Sequence, residues 1–327
     1  MRLKYHKIFA IFQLALGLLI LDHGSSQLAF ADNIAPAFAS DYSLIQLGQI
    51  PGLPGPYGGL TLLAGNSNEL LIGGTANLPG GAICEIGLTR GAGNHITGFS
   101  GSATHFATAP YIDGGLAYGP GGVLFYSAFP INFIGEIKPG SVAPDKLVDL
   151  TPLGVASSVG ALNFVPAGQP GAGDFKIVSY TGGEFYNAAL TPDGFGTYNI
   201  GAATQTAITS PAPNPEGFIY VPTGSADFPT PSMLLPQWLT GRVEACLLDP
   251  DGNPTTCQDF VQGLIGAEGG YVDPLTGDFL FSTFDNGGGN KLVEVQGFVP
   301  PTTPEAGSAS MLATALAGLA FLLRRTR

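Results

Sequence analysis

The sequence predicts an all-β chain whose body is a five-bladed β-propeller, six blades being the alternative count. A signal helix precedes the body and a transmembrane helix follows it. Three observations predict the fold. Of the 327 residues, 49 are Gly and 27 Pro, while 11% are charged, the composition of short strands joined by many turns. One phrase, a small residue, an apolar run and a Pro/Gly turn, recurs five times along the body. Each phrase opens a unit of roughly fifty residues built from short apolar runs, as a propeller blade requires. The chain is too apolar for disorder, and its glycines lack the period of three that collagen needs. A formal net charge of -12 argues against nucleic acid as a partner.

The elements follow in chain order. Arg2, Lys4 and Lys7 form a positive start, and Ile8 to Leu21 is an apolar run too short for a comfortable membrane span. Ala29-Phe30-Ala31 supplies a small-x-small cleavage site, so residues 1–31 are expected to be a signal peptide. The triplet recurs at Ala37-Phe38-Ala39, a second cleavage site further from the apolar run. Residues 32–298 are the expected propeller. Its repeated phrase appears at Gly59-Leu60-Thr61-Leu62-Leu63, Gly115-Leu116-Ala117-Tyr118-Gly119-Pro120, Ala161-Leu162-Asn163-Phe164-Val165-Pro166, Gly217-Phe218-Ile219-Tyr220-Val221-Pro222 and Gly270-Tyr271-Val272-Asp273-Pro274. The anchors Leu60, Leu116, Leu162, Phe218 and Tyr271 are 56, 46, 56 and 53 residues apart.

The second unit holds four runs: Leu116 to Tyr118, Val123 to Phe129, Phe133 to Ile137 and Lys146 to Leu150. The third holds Leu162 to Val165, Phe175 to Tyr180, Phe185 to Leu190 and Thr197 to Ile200. The fifth holds only three: Tyr271-Val272, Phe279 to Thr283 and Lys291 to Val295. The run Tyr42 to Leu47 stands before the first unit without a partner, so it is expected to complete the last blade and close the ring. A two-sheet sandwich or a β-helix is the competing architecture, and four runs per unit disfavour a β-helix, whose repeats are shorter.

Cys246 and Cys257 flank a turn centred between Asp251 and Gly252, which places them opposite one another on antiparallel strands and within reach of a disulfide. Cys84 is left over and is expected to be a buried thiol in the first blade. The body has two histidines, His95 and His105, and a histidine zinc site would need more ligands near them. A Ser-His-Asp triad stays open, because its members are neighbours in space; no G-x-S-x-G or H-E-x-x-H motif accompanies it. Asp249 to Asn253 resembles a calcium loop, but its Gly comes early and Phe260 stands where an EF-hand needs Glu. A hairpin turn is the simpler reading, there and at Asp273 to Asp278. Trp238, beside Gln237, is expected in the core of the fourth blade rather than on a sugar-stacking face.

Asp113, Glu216 and Glu268 sit just before three of the five opening strands. In a propeller those strands line the central channel, so the three carboxylates converge at one mouth and are candidate ligands for Ca²⁺. The placement is similar to that in metal-dependent propeller lactonases. The plain alternative is three solvated acids at strand starts. No catalytic residue is identified.

After residues 299–305, a Pro/Thr-rich spacer, Ala306 to Leu323 is an uncharged apolar stretch of 18 residues, followed by Arg324-Arg325-Thr326-Arg327. The length is about the minimum for a membrane helix, and the arginines would stay cytoplasmic. With Pro304-Glu305, this order resembles the PEP-CTERM sorting domain of Gram-negative, exopolysaccharide-producing bacteria, over residues 303–327. Ala306 departs from the second proline of the Pro-Glu-Pro motif. The resemblance implies recognition of Pro304, Glu305, Arg324, Arg325 and Arg327 by an exosortase-type enzyme. It also implies export, transient anchoring in the inner membrane, and delivery to the cell surface or extracellular matrix. A plain tail anchor, never processed, has the same layout.

Six of the 12 Lys and Arg lie in the two ends, where only Asp22 and Glu305 are acidic, so the body carries 6 basic and 22 acidic residues, a net of -16. An acidic body attracts divalent cations or cationic polymers. The function expected from the sequence is a monomeric, non-enzymatic binding or structural module of the exopolysaccharide matrix, with polysaccharide as its partner. The alternative is a metal-dependent propeller hydrolase or lactonase with an acidic site at the channel mouth.

Overall fold

In the computed structural model of the protein, residues 31–209, 214–287 and 289–297 are described. The signal segment with Ala29, and the linker, apolar stretch and arginines beyond residue 297, lie outside them. No helix of the described residues is long and apolar enough to cross a membrane.

The body is a five-bladed β-propeller. Two short N-terminal strands, β1 (Asn33–Ile34) and β2 (Ser43–Gly48), precede the first blade. Blade 1 is β3 (Tyr57–Leu63), β4 (Asn66–Gly74), β5 (Ala82–Arg90) and β6 (Ile96–Thr108). Blade 2 is β7 (Ile112–Tyr118), β8 (Leu124–Ala128), β9 (Phe133–Ile137) and β10 (Lys146–Asp149). Blade 3 is β11 (Val159–Phe164), β12 (Phe175–Ser179), β13 (Glu184–Ala188) and β16 (Thr204–Ile208), with a side hairpin of β14 (Leu190–Pro192) and β15 (Tyr198–Ile200). Blade 4 is β17 (Ile219–Tyr220), β18 (Ser232–Gln237), β19 (Arg242–Leu248) and β20 (Pro254–Gln262), with β1 on its outer edge. Blade 5 is β21 (Ala267–Val272), β22 (Phe279–Thr283) and β23 (Leu292–Gln296), completed by β2.

Alternation within the strands builds the core. In β4, Leu70 and Ile72 pack into the seam with blade 5, while Leu71 between them packs into the seam with blade 2. In β22, Phe279 and Phe281 face blade 4, and Leu280 faces blade 1. Successive side chains of a strand point to opposite faces. A blade between two neighbours buries both faces, so its second strand carries apolar side chains on each. Five apolar clusters of the described residues correspond to the five seams of the ring. Each fully buried Leu, Ile or Phe contributes about 1.5–3 kcal/mol of transfer free energy.

The N-terminal strand closes the ring as its sequence suggests: β2 runs antiparallel to β23, with Ser43 opposite Gln296 and Gln46 opposite Val293. The third blade corrects the expectation that Thr197 to Ile200 is its outer strand. That segment pairs locally, Leu190 opposite Ile200, and the outer place goes to Thr204–Ile208. Trp238 is also not a core residue of blade 4. It is half-buried at the seam with blade 5, where its Nε1 donates to the Phe284 carbonyl at 3.0 Å.

Candidate functional site

The inner strands β3, β7 and β21 touch one another around the axis. Each blade places a residue followed by glycine at the start of its inner strand: Tyr57-Gly58, Asp113-Gly114, Val159-Gly160, Glu216-Gly217 and Glu268-Gly269. The glycines permit backbones to meet. A Cβ on Gly114 would lie 1.6 Å from the Glu216 carbonyl oxygen, and one on Gly269 would lie 2.7 Å from the Gly59 Cα. Two serines stitch the same ring. Ser127 Oγ accepts from the Gly115 amide at 2.8 Å and donates to the Gly160 carbonyl at 2.7 Å, joining blades 2 and 3. Ser282 Oγ accepts from the Gly269 amide at 3.0 Å and donates to the Gly58 carbonyl at 2.7 Å, joining blades 5 and 1.

The structure brings Asp113, Glu216 and Glu268 together, with one oxygen of each within 4.8 Å of the others. They are enclosed rather than arrayed at an open mouth: their exposures are 0%, 4% and 0%. Both oxygens of Asp113 and Glu268, and Oε2 of Glu216, have no donor in hydrogen-bond geometry. Burial pushes the Asp113 carboxyl up to about 7, against the partly compensating approach of Glu216, Glu268 and Asn77. Burial, with the neighbouring carboxylates, also holds Glu216 and Glu268 well above the usual range. The Tyr180 phenol, packed against Phe129 with ring centroids 5.4 Å apart, is pushed up to about 12, first by burial and then by the fields of Glu216, Glu268 and Asp113.

Three buried carboxyls cannot all be ionised at this separation without a counter-charge. Either protons or a cation must supply it. An all-oxygen donor set from three different blades suits a hard divalent ion such as Ca²⁺, which accepts irregular oxygen coordination.

The other residues singled out from the sequence fall as follows. Cys246 and Cys257 are directly opposed on β19 and β20 and joined by a disulfide, their Cα atoms 4.0 Å apart. Cys84 is a buried thiol on β5, and burial raises its pKa. His105 is exposed on β6, with Nε2 3.5 Å from Thr108 Oγ1. Asp249 to Asn253 forms the turn of a hairpin, the Asp249 amide donating to the Asn253 carbonyl at 2.9 Å. Asp273 to Asp278 likewise turns, the Asp273 amide donating to the Asp278 carbonyl at 2.8 Å.

One cluster escaped the sequence reading. His95, expected to lack ligand neighbours, lies beside Asp278 and Glu294 from blade 5, with one candidate atom of each within 4.8 Å of the others. The Glu294 carboxyl is pushed up to about 7, chiefly by burial and opposed by hydrogen bonds from Gln296 and Ile96. No signal in the sequence links three residues that far apart. The serines of the inner ring were equally invisible, since nothing distinguishes Ser127 or Ser282 from other strand serines.

Neither a family model nor a curated protein matches the chain. Matches among solved structures are distant. A β-propeller domain of Cps50 (Swd1) from Myceliophteria thermophila is 8% identical, covering 74% of this chain and 70% of its own, with a TM-score of 0.40. An auxiliary nutrient binding protein from Bacteroides ovatus is 11% identical, over 78% and 76% of the two chains, with a TM-score of 0.42. A protein described only provisionally as a gluconolactonase is 10% identical, over 82% and 99%, with a TM-score of 0.44. Similarity at this level carries no functional argument.

Proposed function

We propose that the protein is an exported, non-enzymatic β-propeller of the bacterial cell surface or extracellular matrix, a binding or structural module whose blades are tied at the axis by Ca²⁺. The observation that carries the reading is the enclosure of Asp113, Glu216 and Glu268, each at most 4% exposed and holding donor-less oxygens. A cation there balances the charge and links blades 2, 4 and 5. Its burial favours a structural ion over a hydrolytic one, because a lactonase must present a free face of its metal to substrate.

Export and sorting rest on the two ends of the sequence. Cleavage after Ala31 would retain β1 and the buried Ala35 and Phe38, whereas cleavage after Ala39 would remove them from the seam between blades 4 and 5. That packing supports the first site. The tail resemblance supports processing by an exosortase-type enzyme and, with it, polysaccharide as the ligand class.

Calcium uptake by the purified chain tests the axial site. The protein should take up one Ca²⁺, and the double variant Glu216→Ala, Glu268→Ala should take up none. Unchanged uptake in that variant overturns the site. Lactone or ester hydrolysis that disappears on chelation would replace the non-enzymatic reading with the hydrolase.

A further inference from the structure

A second cluster lies away from the axis, where the connection between β5 and β6 leans onto blade 5. Arg90 pins this connection: Nη1 donates to the Asn94 carbonyl at 2.7 Å and to Asp273 Oδ2 at 2.5 Å. The next turn closes by the Gly91 amide donating to the His95 carbonyl at 2.9 Å. These contacts deliver the His95 imidazole to blade 5, where Nδ1 meets Asp278 Oδ2 at 2.5 Å. Glu294 on β23 completes the group. Its Oε1 accepts from the Ile96 amide at 3.0 Å and its Oε2 from Gln296 Nε2 at 2.8 Å.

The arrangement exceeds what an ordinary ion pair needs. Asp278 and Glu294 are both 0% exposed, so two carboxylates are buried side by side against one imidazole. With both carboxylates ionised, the group carries more negative charge than one imidazole can balance. Asp278 Oδ1 has no hydrogen-bond donor. The imidazole is different: its side chain is 36% exposed and lines a surface groove of about 560 Å³ with Ser40, Asp41 and Gln296. One nitrogen and two carboxylate oxygens therefore converge, the carboxylates buried and the imidazole reaching the groove.

We propose that His95, Asp278 and Glu294 form a Zn²⁺ site, separate from the axial acids, that clamps the outer part of blade 1 to blade 5. An imidazole with carboxylates matches Zn²⁺ better than Ca²⁺, which prefers oxygen alone. Zn²⁺ bonds such donors at about 2.0–2.2 Å, so atoms within 4.8 Å of one another need only small side-chain shifts to share it. The short His95–Asp278 contact opens, and Asp278 Oδ1 gains the partner it lacks. The Ile96 amide holds the Glu294 carboxylate in place, as hydrogen bonds to metal-ligating carboxylates commonly do. Water from the groove completes the coordination.

The test is calorimetric titration of the purified chain with Zn²⁺ in excess Ca²⁺, repeated with Co²⁺ to read coordination from its visible absorption. One Zn²⁺ should bind per chain, and binding should persist in Glu216→Ala, Glu268→Ala, so the two sites succeed or fail independently. His95→Ala should weaken uptake by at least about tenfold, since losing an outer partner alone typically costs 10–100-fold. It alters a half-exposed side chain, and circular dichroism checks that it folds. Glu294→Gln, which keeps an acceptor for the Ile96 amide, should weaken uptake as well. Absence of Zn²⁺ binding by the parent chain, or unchanged binding in either folded variant, overturns the proposal.

Discussion

Asp113, Glu216 and Glu268 show how a residue's position can matter more than its type. Each is an ordinary acid before an opening strand, and the ring turns three strand starts into one point. Their folded pKa values are raised, Asp113 to about 7, whereas unfolded Asp and Glu titrate near about 4. Glu136 and Glu294, also buried, are raised to about 7. Between these limits the folded chain binds more protons than the unfolded one, so stability falls as pH rises through the window. The chelated protein should accordingly lose urea resistance from pH 5 to pH 8, and Ca²⁺ should restore it most at pH 8. Glu268→Gln should reduce both the slope and the calcium response. Urea midpoints that climb with pH in the chelated protein would contradict the assignment. These three acids were legible in sequence because each lies one or two residues before its repeated phrase. His95 and Asp278 were not, because 183 residues separate them and neither belongs to the repeated phrase.

Strands announce themselves in proportion to how much of them is buried. Second strands such as β8 and β22 are buried along their whole length and each opens on three consecutive apolar residues, Leu124 to Tyr126 and Phe279 to Phe281. Outer strands have no such signal: β16, Thr-Gln-Thr-Ala-Ile, is exposed or half-buried throughout. The run Thr197 to Ile200 therefore drew the assignment, although its strand β15 serves a local hairpin. The N-terminal segment works the other way. Its strand β2 is only partly buried, but the residues before it anchor the seam between blades 4 and 5. Phe38 is 2% exposed, and its ring lies 5.4 Å from Phe228 and 5.0 Å from Phe260. Phe38→Ala should cost about 3–5 kcal/mol in equilibrium urea unfolding. A cost under about 1 kcal/mol would show that the ring does not depend on this segment.

For the whole molecule, one strand donated from the N-terminus to the last blade makes the array a closed ring. Closure satisfies the edge of β23 and gives every blade two neighbours. The proposed export of that ring rests on the two ends of the sequence and is tested separately. Intact mass of protein from its producing cells, resolved by fraction, should show a chain beginning at Asp32 and ending near Pro304 in a surface or medium fraction. A mass that ends at Arg327, confined to the inner membrane, would leave the tail a plain anchor. By itself, the sequence determined the all-β class, the repeat, the closing strand and the opposition of Cys246 to Cys257. All of these depend on local alternation, turn chemistry and a period, which a one-dimensional string preserves. Only the tertiary structure decided which acids share a buried volume, which serines bridge neighbouring blades and what His95 faces. Those contacts depend on the radius at which the ring closes and on how tightly glycine lets its inner strands approach, and neither quantity is encoded in any one segment.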